Sequence, residues 1–306
     1  MRKAILWSAV VSAAVLAAAC GPQRERIIDN PAIESSNNYF LQIPQVEMTD
    51  SSTILRCQVN HTPGQWISID PGSRIVANGV EYPLVSAIGI EPGVQTTMPD
   101  SAKMAFDLVF GPIPAKTKSI DFMEGDGWKL WGIDVTGMAD YRSKPAGLPK
   151  DLGRVAMDGP MPQPIMAVDS TTVNVHLLGY RPSMGDKLEY MVNSYAGPTS
   201  DGFEARVASD GTAVLHLNLC GTSMLRLRSA GDVSLPRALV WLAPGETVDV
   251  YVDCRRNGDW FLRARKEDDG HLPSVWDNGS YADLNKAIHS IDGKSFGMDM
   301  LSGRFG

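Results

Sequence analysis

The chain has 306 residues, 28 Lys and Arg against 35 Asp and Glu, and a formal net charge of −7 at pH 7. A hydrophobic fraction of 43% is ample for packed cores, and the length suits two domains better than one. A net acidic chain without basic runs argues against nucleic acid as a partner.

The first predicted element is an export leader. Arg2 and Lys3 precede an uncharged apolar stretch from Ala4 to Ala19, the layout of a signal peptide at residues 1–19. As a helix this stretch would rise only ~24 Å, short of a ~30 Å hydrocarbon core. Removal is therefore expected rather than a permanent span. The stretch ends at Cys20, and Leu16-Ala17-Ala18-Ala19-Cys20 resembles a bacterial lipobox, with Ala17 where Leu is commonest. The resemblance implies lipidation of the Cys20 sulfur and acylation of its new amino terminus, and two or more chains anchor stably. An ordinary secreted protein with an incidental Cys20 is the alternative. Residues 20–34 then read as a lipidated tether. The expected location is the cell envelope, on the outer membrane and facing the periplasm, since no acidic cluster follows Cys20.

Strand signals dominate the chain beyond the tether. STILRCQVN, QWISID, RIVANG, KMAFDLVFG, SIDFMEG and KLWGIDVTG are short, rich in β-formers and punctuated by Gly, Pro and Asp-Gly. Leu55, Cys57 and Val59 share one face, as do Met104, Phe106, Leu108 and Phe110, which is period two with one side buried. Gly125-Asp126-Gly127 predicts a primed two-residue hairpin turn. Residues 35–137 are expected to form a β-sandwich.

Residues 138–165 carry Pro145, Pro149, Pro160, Pro162 and Pro164. Proline at that density breaks helices and central strands, so a stiff linker is predicted. Strands resume in TTVNVHLLGY, LEYMVNSY, FEARVAS, TAVLHLNL, SMLRLRS, RALVWL and ETVDVYVD. Val173, Val175 and Leu177 share a face, as do Val248, Val250 and Val252. Residues 166–263 are expected to be a second antiparallel sandwich. The closing segment, 264–306, carries a predicted short helix at 281–290 with Leu284, Ala287 and Ile288 as its apolar stripe. The expected fold class is all-β: two antiparallel β-sandwich domains, a Pro-rich linker and a short C-terminal helix.

Motifs that carry chemistry are scarce. The sequence has no Gly-x-Ser-x-Gly elbow, no Ser-x-x-Lys, no His-Glu-x-x-His, no Walker loop and no dinucleotide fingerprint. It also lacks Cys-x-x-Cys, so no catalytic residue and no cofactor is assigned. His176 and His216 fall on outward strand faces and read as solvated, since a structural zinc needs four ligands; no metal site is expected. Glu124–Asp126 reads as a hairpin rather than a calcium loop. Cys220 and Cys254 each end a strand, and a disulfide between them is one reading of the second domain. Trp128 and Trp131 have opposite strand parity, so one of them points outward from an unbroken strand. That pair is the candidate platform for a glycan or peptide, an aromatic face offering apolar area beside polar handles.

Several phrases carry a family resemblance. IIDNPAIESSNNYFLQIPQVEMTDSSTIL, QWISID and KTKSIDFMEGDGWKLWGIDVTG, then WLAPGETVDVYVD and NGSYADLN, resemble the accessory region of TlpA-like thiol-disulfide oxidoreductase lipoproteins of anaerobic Gram-negative bacteria. Ile120 to Asp134 is the most specific part. In that family such sandwich regions precede a thioredoxin-fold domain bearing Cys-x-x-Cys, which has no matching position in this sequence. The resemblance implies envelope location, lipid anchoring and a two-sandwich accessory region. Three functions are compatible with it: a non-catalytic envelope lipoprotein that binds or positions a protein or glycan partner, a redox enzyme whose thioredoxin domain is missing from the chain, and a surface glycan-binding module.

Overall fold

The structure, a computed structural model, describes residues 25–141, 145–152, 160, 162–194, 197–198, 202–235, 238–256 and 275–290. The leader, Cys20, parts of the proline-rich segment and the residues after 290 lie outside that set.

The first domain runs through β1 (Arg26–Asp29), β2 (Ile33–Ser36), β3 (Leu41–Met48), β4 (Thr53–Asn60), β5 (Trp66–Ile67), β6 (Arg74–Ala77), β7 (Val80–Ile88), β8 (Thr96–Thr97), β9 (Lys103–Phe110), β10 (Ser119–Met123) and β11 (Lys129–Asp134). Nine of these strands form one path, β1-β3-β4-β9-β7-β6-β10-β11-β2, and β5 pairs with β8. The path folds over at β7. Its first residues pair with β6 (Val80 opposite Ala77), and its last with β9 (Ile88 opposite Asp107). Two layers result, and Phe110 of β9 meets Phe122 of β10 between them with ring centroids 6.3 Å apart. The period-two pattern holds: Leu55, Cys57 and Val59 are buried with Phe106, Leu108 and Phe110.

β1 and β2 fall inside the stretch read as a tether. β1 pairs with β3 from Arg26 to Asp29, and Ile28 and Ile33 enter the core. The sandwich therefore reaches back to Arg26, and a tether from Cys20 ends by Glu25. Apolar residues in a short segment sufficed to recruit it as an edge strand. The β10–β11 hairpin forms, but its connection spans Glu124 to Trp128 rather than two residues. There the Gly127 N–H donates to the Glu124 carbonyl at 2.7 Å.

The second domain comprises β12 (Val168–Leu178), β13 (Lys187–Ser194), β14 (Gly197–Pro198), β15 (Phe203–Arg206), β16 (Thr212–Cys220), β17 (Ser223–Ala230), β18 (Val233–Ser234), β19 (Leu239–Leu242), β20 (Thr247–Asp253), β21 (Val275–Asp277) and α1 (Ala282–Ser290). One sheet has the order β16-β12-β20-β21. The other centres on β13 and β17, with β15 on β13 and β19 on β17. Val173, Val175, Leu215 and Val250 of the first sheet share a core with Leu188, Leu225 and Val240 of the second.

The all-β class holds, with two differences from the expected second sandwich. β12 and β20 run parallel, Thr172 opposite Thr247 through Leu178 opposite Asp253, so this domain is not wholly antiparallel. β21 lies beyond residue 263 and adds to the sheet against β20. The helix starts at Ala282, near its predicted place, but its deepest residue is polar. Asn285 is 2% exposed, whereas Leu284, Ala287 and Ile288 are only half-buried. The Asn285 amide accepts from the Trp241 N–H at 2.7 Å and donates to the Trp241 carbonyl at 3.1 Å, closing the open edge of β19. The described residues of 138–165 form no strand or helix.

Candidate functional site

Among the described residues, polar side chains gather at the joint between the domains and on the outer face of the β16-β12-β20-β21 sheet, besides the exposed Arg56 pairs with Glu47 and Asp107 on the first domain.

The joint explains a break in strand alternation. β2 is buried at every position and β11 at all but Lys129, because the second domain covers their outer face. Trp131 is 0% exposed in a small apolar cluster with Met123, Met184 and Val233. Its indole N–H donates to Ser183 Oγ at 3.0 Å, and Ser35 Oγ donates to the Cys254 carbonyl at 2.6 Å. Arg181 crosses the joint and forks onto two carboxylates of the first domain, Asp121 and Glu34. Asp121 also accepts the Gly132 N–H at 2.8 Å. Burial works against the Arg181 charge, but Asp121 and Glu34 outweigh it and lift its pKa further. Burial pushes the Glu34 carboxyl up from the ordinary range while Arg181 and Arg255 hold it back. Gly132 is required there: its φ is +63°, and a Cβ would run into Glu34. From the linker, Tyr141 donates its hydroxyl to the Gly132 carbonyl at 2.8 Å.

The outer sheet face is built by register. Parallel pairing sets His176 of β12 beside Tyr251 of β20, and antiparallel pairing sets Tyr251 beside Trp276 of β21. Residues directly opposite one another point to the same side. His176 and Tyr251 stack with ring centroids 4.5 Å apart at 12°. One step along the strands lies a polar row. Asp249 receives hydrogen bonds from Asn174 Nδ2 at 3.1 Å and Asn278 Nδ2 at 3.0 Å, with His176 Nε2 at 3.3 Å. Burial works against the Asp249 charge, but these hydrogen bonds outweigh it and hold its pKa below the usual carboxylate range. Beside the row lies a cavity of about 140 Å³. Its walls include Trp276, Asp277 and Asn278 from β21 and the turn after it, Asp283 and Lys286 from α1, and Asp151 from the proline-rich segment.

The residues singled out by sequence are not brought together. Trp131 cannot be a platform, since the second domain covers it. Trp128 is half-buried against the first core. Cys220 and Cys254 form no disulfide: both are free thiols, one exposed and one buried. Cys220 pairs with Val168 at the start of β12, and Cys254 follows Asp253, which pairs with Leu178 at its end. The eleven-residue length of β12 separates them by roughly 30 Å at ~3.3 Å per residue, far beyond disulfide reach. Glu124 receives the Asp70 and Trp128 backbone N–H groups at 3.0 and 2.9 Å, so its carboxylate serves the hairpin. Among the described residues, no three His, Cys, Asp or Glu side chains converge as a metal site. Cys20 lies outside the described residues. Sequence reasoning missed the Tyr251–Trp276 row. Its signal was the alternation in VDVYVD, which puts Asp249 and Tyr251 on the outward face, but the pairing that completes the row is not written in any local pattern.

No family model matches the chain, and no curated protein matches it. Among solved structures it overlaps weakly with the pullulanase from Bacillus acidopullulyticus, at 10% identity and a TM-score of 0.21 over 70% of this chain and 37% of that one. It overlaps similarly with pullulanase type I from Bacillus subtilis str. 168, solved with maltose, at 11% identity and a TM-score of 0.22 over 60% of this chain and 22% of that one. The Bacillus anthracis TIE protein overlaps at 10% identity and a TM-score of 0.18 over 76% of this chain and 40% of that one. The chain spans well under half the length of each. Overlaps of this size assign neither family nor function.

Proposed function

We propose that the chain is a non-catalytic lipoprotein of the bacterial envelope, comparable to the accessory region of TlpA-like oxidoreductases, whose two sandwiches act as one rigid arm. Cys20 carries the lipid and holds the protein on the outer membrane, facing the periplasm. Only residues 21–25 separate Cys20 from β1, a reach of at most ~20 Å, so the first sandwich rides close to the bilayer. The arm then holds the second sandwich at a set distance, where it meets an envelope protein or glycan.

The observation that carries this reading is the Arg181 bridge to Glu34 and Asp121, with Trp131 buried beneath it. Two domains joined by a flexible linker alone would move independently, whereas a paired, partly buried fork fixes their orientation.

Metabolic labelling with an alkyne fatty acid, followed by fractionation, tests the anchor. The native chain is expected to take the label and sediment with membranes, and Cys20→Ser to lose both properties. Label retained on Cys20→Ser, or a native chain in the soluble fraction, overturns the anchor. An insulin-reduction assay is expected to show no turnover, and clear turnover overturns the non-catalytic reading.

A further inference from the structure

We infer that β16 is a self-pairing edge, through which two copies of this chain join antiparallel into one continuous sheet, four strands from each. The inference goes beyond the arm reading above and needs neither the anchor nor a ligand.

β16 is the outer strand of the β16-β12-β20-β21 sheet, and among the described residues no strand pairs with its other side. The ladder on its inner side fixes where its backbone points. The Leu177 N–H donates to the Gly211 carbonyl at 2.9 Å. The register then runs unbroken from Thr212 opposite His176 to Cys220 opposite Val168. In an antiparallel ladder alternate residues aim both backbone groups at the partner strand. The odd-numbered residues from Gly211 to Leu219 therefore face β12, and the even-numbered ones from Thr212 to Cys220 face away. The Thr212 carbonyl accepts the Ala208 N–H at 2.8 Å in the turn before the strand. Val214, His216, Asn218 and Cys220 line the open side with their N–H and C=O groups, and all four residues are exposed.

Proteins usually block such edges, and this chain blocks its others. β1 is short and carries Arg26 and Asp29, and β2 lies under the second domain. β15 carries Glu204 and Arg206, β19 is closed by Asn285, and β21 has three residues. β16 has none of these devices. Its nine residues, TAVLHLNLC, include no charge, no proline and no glycine, and its pairing with β12 has no bulge. A strand left in that state is a template for another strand.

The occupant is a second copy for two reasons. The chain carries a net charge of −7, yet this strip is neutral, so two copies meet here without like charges opposed, and a charged strand would find nothing to pair with. A two-fold axis through Leu217 also makes the strand its own complement. It sets His216 against Asn218 and Val214 against Cys220 of the second copy on the outer face, and Leu215 against Leu219 of the second copy on the core face. Both open edges are used at once, so association closes at the dimer.

The test is sedimentation equilibrium of the full chain carrying Cys20→Ser, which removes the N-terminal thiol and any lipid on it, with amide hydrogen exchange at the same concentrations. The mass is expected to double as concentration rises. The amides of Val214, His216, Asn218 and Cys220 are expected to gain protection in step, whereas those of Leu215 and Leu217 are protected throughout. His216→Pro removes an N–H that the chain's own sheet does not use and fills the edge. Asn218→Lys, at an exposed position, brings like charges together near the axis and decides the matter should the proline disturb the fold. Each is expected to weaken dimerisation by about tenfold or more. Ile27→Lys, on the β1 edge, is expected to leave it unchanged. The inference is overturned if the chain stays monomeric at about 1 mM, if the dimer survives both His216→Pro and Asn218→Lys, or if the four amides gain no protection as the mass doubles. Protection conferred only by a different envelope protein gives the edge to another chain and overturns it too.

Discussion

Trp131 and Ser183 meet across the domain joint, the indole N–H of one donating to the hydroxyl of the other at 3.0 Å. The contact comes from β11 of the first domain and the short 3-10 turn Pro182–Met184 of the second. Removing the whole ring would open a cavity between Met123, Met184 and Val233. Trp131→Ala is expected to cost about 3–5 kcal/mol, whereas Trp131→Phe keeps most of the packing and costs about 1 kcal/mol for the lost hydrogen bond. Urea unfolding followed by circular dichroism measures both. Equal effects of the two substitutions would show that packing at the joint contributes little.

Arg181 faces both Glu34 and Asp121 across this joint. Arg181→Ala leaves two carboxylates buried against each other, and breaking a buried pair in this way costs about 3 kcal/mol. The loss falls on the coupling between domains rather than on either core. Scanning calorimetry is therefore expected to show one transition for the native chain and two for Arg181→Ala. Arg181→Lys should fall between them, because an ammonium cannot fork onto two separate carboxylates. A single transition in Arg181→Ala, unshifted, would remove the rigid-arm argument.

The cysteines differ sharply in reactivity. Burial, with smaller contributions from neighbouring carboxylates, pushes the Cys57 and Cys254 thiols far up, so neither offers a thiolate near neutral pH. Cys220 is exposed at the end of β16. With Cys20 replaced by Ser, Ellman's reagent is expected to titrate one thiol in the folded chain and all three after denaturation. Rapid labelling of more than one in the folded state would contradict the burial of Cys57 and Cys254.

Asp277 gives a pH signature. Burial raises its pKa from 3.8 to about 6, against hydrogen bonds from Asn285 and Gly279. The folded state thus holds a proton that the unfolded state has released between about pH 4 and 6. Stability falls as pH rises through that window, and the loss levels off once the folded carboxyl also ionises. A shift of this size corresponds to about 3 kcal/mol. Asp277→Asn removes the titrating group, so its stability relative to the native chain is expected to rise from pH 4 to 6. Parallel stability curves for the two chains across that window would count against the burial of this carboxyl.

The candidate site was partly legible in the sequence. His176 on the outward face of β12 and Tyr251 on the outward face of β20 follow from period two alone. Their meeting does not, because β12 and β20 lie some seventy residues apart along the chain and pair in parallel. Local pattern carries no information on which distant strand a strand will choose. The cavity depends on still more remote partners, since Asp151, Trp276 and Lys286 come from three segments.

What the sequence determined by itself is the all-β class, the inward faces of β4, β9, β12 and β20, and the position of the closing helix. Those follow from alternation and from turn residues, which act within a few positions. Tertiary structure decided the rest. Parity alone assigns one of Trp128 and Trp131 to an outward face, yet outward from a sheet is not outward from a protein. A second domain docked on β2 and β11 and turned that face into interior, so the residue expected to meet a ligand meets Ser183 instead. Burial is a property of everything that packs around a side chain, and most of what packs around Trp131 is far away in sequence.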